Sequence, residues 1–132
     1  MAQRKKPQDV ANDFIRCLLC DISPSFGTFT DEQKIQTLEY FDYKCPYTGE
    51  DIREAYAHRG CDLDHVIGHN RRDCGLHIYG NLVFTKKGTN VSKSSMDFES
   101  FIRTETEGTD AEKQARIDKI KRFMEESGYA NI

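Results

Sequence analysis

The chain has 132 residues, a usual size for one domain with one modest hydrophobic core, and little room is left for a second. Its net charge of −3 and pI of about 5.8 argue against a polycation that coats nucleic acid through bulk electrostatics. No run reaches the roughly 18 consecutive apolar residues of a membrane span, and the basic start leads into Pro7 and Gln8 rather than an apolar signal core, so a soluble cytoplasmic protein is expected. Five cysteines, an odd number, fit reduced thiols better than a disulfide framework.

The first element is a helix over 9–21, where Val10, Phe14, Cys17, Leu18 and Ile22 recur at three- and four-residue intervals and so share a face. Cys17 and Cys20 have metal-ligand spacing, but on an apolar helix thiols serve as small hydrophobes, and the core reading is preferred. Ser23-Pro24-Ser25-Phe26-Gly27 stops this helix. Thr30 followed by Gln33 reads as a capping box, which opens a second helix that turns Ile35, Leu38 and Phe41 inward and ends near Tyr43. In the middle, Asp62-Leu63-Asp64-His65-Val66-Ile67 alternates polar and apolar before running apolar, and Asn81-Leu82-Val83-Phe84-Thr85 is rich in strand formers. A polar loop with Gly68, Gly75 and Gly80 joins these two predicted strands. Asn90-Val91-Ser92-Lys93, then Met96, Phe98, Phe101 and Ile102, predict two short helices meeting near Ser94 and Ser95. Gly108 reads as a linker; beyond it Thr109 and Glu112 repeat the capping signal, Ile117, Ile120, Phe123 and Met124 form an apolar stripe, and Gly128 stops the last helix.

Charge is distributed unevenly. Between Gly68 and Ser94 stand Arg71, Arg72, Lys86, Lys87 and Lys93 against Asp73 alone. An acidic protein with one basic stretch suits an anionic partner touched at one face, which makes Arg71, Arg72, Lys86 and Lys87 candidate nucleic-acid contacts; a solvated surface is the plain alternative.

Asp62-Leu63-Asp64-His65, Asn81-Leu82-Val83-Phe84-Thr85 and Asn90-Val91-Ser92-Lys93 together resemble the three ordered blocks of the HNH, or ββα-metal, nuclease family. The lead-in Cys45-Pro46-Tyr47-Thr48-Gly49-Glu50-Asp51-Ile52 resembles that of HNH domains in CRISPR effector nucleases. The resemblance implies an α+β fold in which a short two-stranded hairpin and a helix are embedded among N- and C-terminal helices. It divides one domain, 1–132, into an N-terminal helical region over 1–43, a nuclease core over 44–104 and a C-terminal helix over 109–128.

By the same resemblance His65 is the general base, since a neutral imidazole can take a proton from water near physiological pH. Asp64 and Asn90 are the ligands of a divalent cation, and their all-oxygen chemistry suits Mg²⁺ or Mn²⁺. Asp62 is a further candidate at the metal or an orienter of His65. Asn81 braces the loop and holds the histidine's orientation, and Lys93 is placed to meet a phosphate oxygen. The implied reaction is in-line attack on a DNA phosphodiester by water that His65 activates, a divalent cation polarising the phosphate, with a 5′-phosphate product. Zinc is not expected: where many HNH proteins carry two Cys-x-x-Cys pairs, Cys45 is followed by Thr48, and Lys86 and Thr89 occupy the other pair.

Gly68, where relatives often have proline, leaves His69 and His77 as rival bases or substrate contacts, with surface histidines the plainer reading of both and of His58. A DNA endonuclease of restriction or phage-defence type is the leading expectation. A less selective or RNA-cutting nuclease and an inactive binding module are the alternatives. A single site cuts one strand, so double-strand cleavage implies a homodimer or two successive nicks. Neither an organic cofactor nor a membrane partner is expected.

Overall fold

The computed structural model describes residues 7–8, 29–70, 73, 75–94 and 96–131. The expected helix over 9–21, with Cys17 and Cys20, lies outside the described residues, as do Arg71, Arg72, Cys74 and Ser95. The described chain is α+β, with five α-helices and one two-stranded antiparallel sheet. None of the described helices is long and apolar enough to cross a membrane.

Helix α1 (Asp31–Tyr40) begins at the predicted capping box: Thr30 Oγ1 accepts from the Gln33 amide at 3.2 Å, and Gln33 Oε1 accepts from the Thr30 amide at 2.9 Å. It stops three residues before the expected Tyr43, because Asp42 and Tyr43 take positive φ and reverse the chain. Leu38 and Phe41 are buried as expected; Ile35 is not, at 49% exposure, and buried Thr37 shares the inner face instead. The lead-in then folds back on itself through a bridge between Lys44 and Asp51, with the Cys45 amide donating to Glu50 O at 2.7 Å. This turn delivers Cys45 and Tyr47 into the core before the short helix α2 (Arg53–Ala57).

Strands β1 (Cys61–His65) and β2 (Leu82–Lys86) pair antiparallel, with Asp64 opposite Val83 and His65 opposite Leu82. Leu82 and Val83 are fully buried and anchor the hairpin. Gly88, at φ 92°, occupies the left-handed conformation that glycine adopts without penalty and starts helix α3 (Thr89–Lys93), which packs on both strands. Ser94 ends it, and Asp97 caps helix α4 (Phe98–Glu105) by accepting from the Ser100 amide.

Helix α5 (Asp110–Glu126) buries its whole predicted stripe, Ile117, Ile120, Phe123 and Met124, and Gly128 follows its end at φ 85°. The segment around Gly108 is not a loose tether. Arg116 reaches back from α5 to Tyr47 O and Glu107 O, at 2.9 and 2.8 Å, fixing α5 to the lead-in turn. One core cluster joins α1, the lead-in, β2, α4 and α5.

Candidate active site on the hairpin

Strand alternation sorts the site. Successive side chains of β1 point to opposite faces, so Asp62 and Asp64 share one and Leu63 and His65 the other.

On the carboxylate face, Asp64 Oδ2 receives two donors: the Tyr47 hydroxyl at 2.5 Å and the Lys93 ammonium at 3.3 Å. Tyr47 is fully buried, and burial, reinforced by the Asp64 charge, raises its phenol well above the ordinary range, so it remains a donor. Lys93 is only 3% exposed, and its ammonium also donates to His65 O at 3.1 Å and lies 5.5 Å from the Tyr47 ring centroid. In this arrangement the ammonium serves Asp64 and the end of the strand rather than projecting into solvent.

Asn90 lies three residues before Lys93 and therefore on the same side of α3. Its Oδ1 is buried and accepts no hydrogen bond. Such an atom costs about 1–3 kcal/mol unless something else satisfies it. Asp62 shares the Asp64 face, but its Oδ2 accepts from the Gly88 amide at 3.0 Å, tying β1 to the start of α3.

On the other face three of the four histidines gather. His65 Nε2 lies 2.9 Å from His77 Nδ1, and the His69 ring stacks on His65 with centroids 4.8 Å apart. His69 Nδ1 lies 2.9 Å from Gly75 O, which can only accept, so that nitrogen carries a proton. The His65 imidazole is pushed down to about 4, first by burial and then by His69, His77 and Lys93. It is therefore neutral at physiological pH. Burial and then His69 lower His77 as well. Exposed His58 stands apart from this cluster.

The loop that carries His69 and His77 is fastened at several points. Asn81 is fully buried; its Oδ1 accepts from the Ile67 amide, and its Nδ2 donates to Ile67 O and Leu76 O, at 2.7, 3.0 and 2.9 Å. Tyr129, beyond α5, accepts from the Leu76 amide at 3.0 Å. A Cβ on Gly75 would stand 1.8 Å from Ile67 O, so only glycine permits this closure.

The structure thus brings Asp64, His65, Asn81 and Lys93 to one end of the hairpin, with Asn90 on the helix face beside them. Of the expected nucleic-acid contacts, Lys86 and Lys87 are exposed, and Lys86 lies 3.5 Å from Glu50. Tyr47 is an addition that the sequence did not place in the site, while His69 and His77, expected as rival bases or substrate contacts or else as surface histidines, both lie against His65. A groove at this end of the hairpin is lined by Lys93 together with Asp73, Asp97 and Glu99.

Asp64 and Asn90 offer hard oxygen donors, and the unsatisfied Asn90 Oδ1 is the atom a bound cation would satisfy; the donor set fits Mg²⁺ or Mn²⁺. No group of three or more histidine, cysteine or acidic side chains suited to a metal occurs among the described residues. The histidine rings do not form one: those of His65 and His69 lie within 17° of parallel, so their in-plane lone pairs do not converge.

No protein-family model matches the chain, and no curated protein or solved structure matches it.

Proposed function

We propose that the protein is a metal-dependent HNH endonuclease that hydrolyses DNA phosphodiester bonds. The observation that carries this reading is the buried, unsatisfied Asn90 Oδ1 on the helix face that also presents Lys93 to Asp64, next in sequence to the neutral His65.

His65 is the base. Its Nε2 is engaged by His77, and Nδ1 is the nitrogen that takes a proton from water. Asp64 and Asn90 hold the cation, with Tyr47 and Lys93 fixing one carboxylate oxygen of Asp64 and leaving Oδ1 for ligation. When bound, a divalent cation polarises the scissile phosphate and stabilises the leaving oxygen. Asn81 keeps the loop closed behind the base. DNA is favoured over RNA by the likeness of 45–52 to the lead-in of HNH domains in CRISPR effector nucleases, and a restriction or phage-defence role is the setting proposed.

The test is incubation of the purified chain with supercoiled plasmid, single-stranded DNA and RNA in Mg²⁺, Mn²⁺ or EDTA. Open-circular plasmid appears first, EDTA abolishes it, and His65→Ala slows it by about 10²- to 10⁴-fold without unfolding the protein. An unchanged rate for His65→Ala, or cleavage in EDTA, overturns the mechanism. Degradation of RNA alone moves the substrate class.

A further inference from the structure

We propose that His77 is a positioning residue for the base: its Nδ1 accepts the Nε2 proton of His65, fixing that ring in the tautomer whose Nδ1 is bare. The inference deepens the nuclease reading and rests on it for its consequence, though not for its geometry.

Two nitrogens 2.9 Å apart share one proton, so the pair has two arrangements. When His65 Nε2 donates, His65 Nδ1 keeps its lone pair and can take a proton from water. With the proton on His77 Nδ1, His65 Nε2 accepts and Nδ1 carries the hydrogen, and no lone pair remains for water unless the bond breaks. Only the first arrangement is competent. It also places both rings in the Nε2–H form that a free histidine side chain prefers, whereas the second places both in the disfavoured form.

The fold holds His77 for this task. Leu76, its chain neighbour, is gripped at the carbonyl by Asn81 Nδ2 and at the amide by the Tyr129 hydroxyl, a contact 53 residues away in sequence. The stacked His69 ring limits rotation of His65 about its long axis. Burial and then His69 lower His77, which favours the neutral ring, the form that has one bare nitrogen to accept with.

In the proton transfer, one O–H bond of water breaks and its electron pair stays on the oxygen that attacks phosphorus. The proton goes to His65 Nδ1. The ring becomes imidazolium, and its Nε2–H bond to His77 becomes charge-assisted and stronger, so the interaction grows as the transition state forms. His77 itself stays neutral throughout.

Two substitutions separate this role from packing. His77→Asn places an oxygen acceptor near the Nδ1 position but loses the ring, while His77→Phe keeps the ring and loses the acceptor. Expected is near-normal kcat for His77→Asn and a kcat about 10- to 100-fold lower for His77→Phe, with KM unchanged in both. A fully active His77→Phe, or a His77→Asn as impaired as His77→Phe, overturns the proposal.

The second measurement needs no activity and no variant. In metal-free protein labelled with ¹⁵N-histidine, His65 shows a protonated Nε2, an unprotonated Nδ1 and a scalar coupling from Nε2 to His77 Nδ1. A protonated His65 Nδ1, or no coupling, overturns the proposal and leaves the nuclease reading standing. The expected coupling in a wild-type protein that cuts no nucleic acid upholds the tautomer and removes the nuclease reading alone.

Discussion

The two faces of strand β1 are built on opposite electrostatic principles, although their side chains alternate along five residues. The Asp64 face gathers charge: a buried lysine and a buried phenol converge on one carboxylate oxygen, and a carboxamide oxygen beside them is left unsatisfied. The His65 face avoids charge. Three imidazoles crowd together, and burial, the neighbouring imidazoles and, last, the Lys93 charge hold His65 neutral. In the proposed nuclease, a carboxylate that must attract a cation and a base that must not be protonated would make conflicting demands on their surroundings. The pleat separates two adjacent residues into two environments and meets both demands.

The two faces should come apart most completely at Asn81. Its carboxamide makes three buried or half-buried hydrogen bonds that close the histidine loop, and none of them touches Asp64 or α3. Asn81→Ala leaves the Ile67 amide and two carbonyls unpaired, at a cost of about 2–5 kcal/mol and a melting temperature lower by on the order of 10 °C. Cleavage falls with loss of the His65–His77 pair, while Mn²⁺ binding at the carboxylate face persists in the protein that remains folded. Calorimetric melting and a Mn²⁺ titration measure the two separately. A variant that melts like wild type refutes the role given to Asn81, and equal loss of Mn²⁺ binding shows that the two faces are not independent.

At Asn90 the expected effect is smaller and of opposite sign for stability. Removing an acceptor that has no partner relieves the metal-free protein, and alanine favours the helix, so Asn90→Ala should melt at or slightly above wild type. Its Mg²⁺ or Mn²⁺ affinity should fall about 10- to 100-fold, comparable to other losses around metal sites. A gain in stability with a loss of metal marks a group retained for function. Unchanged metal affinity removes Asn90 from the ligand set.

Much of this was legible in the sequence, for identifiable reasons. The Thr30 and Thr109 caps and the stripe of α5 are local signals, and local hydrogen bonding realises them. Strand formers on either side of a glycine-bearing loop announced the hairpin, and alternation along β1 followed from its register. Ile35 departs from the expectation because the helical period holds only from Leu38 onward: Leu38 and Phe41 are buried, while Ile35, nearer the start of α1, stays exposed. Helix α2, five residues with no buried side chain, carries no apolar period to detect. Tyr47 is hidden for another reason, and so is the inward turn of Lys93, which the sequence places at a phosphate oxygen: each is defined by a partner far along the chain, 17 residues from Tyr47 to Asp64 and 28 from Lys93 to the carbonyl of His65. His69 and His77 belong to a loop without periodicity, and their meeting with His65 depends on a closure that Gly75, Asn81 and Tyr129 make jointly. The glycines and histidines of 65–77 hint at such a cluster, but nothing local fixes which rings meet.

The smallest expected effect tests the neutral face through stability alone. In the unfolded chain His65 takes up a proton as pH falls through about 6.5; in the folded chain it does so only near 4. Between those values the unfolded state binds more protons, so stability falls as pH falls, and the effect is complete below about 4. His77, also shifted downward, adds in the same direction. Carboxylates with ordinary affinities titrate lower, so melting temperatures between pH 7.5 and 5 isolate the histidines. Wild type should lose stability steadily across that interval, and His65→Phe, which keeps a ring against His69, should lose less. Parallel slopes for the two proteins would mean that His65 is as easily protonated folded as unfolded, and the contrast between the two faces of β1 would then lie in the carboxylate face alone.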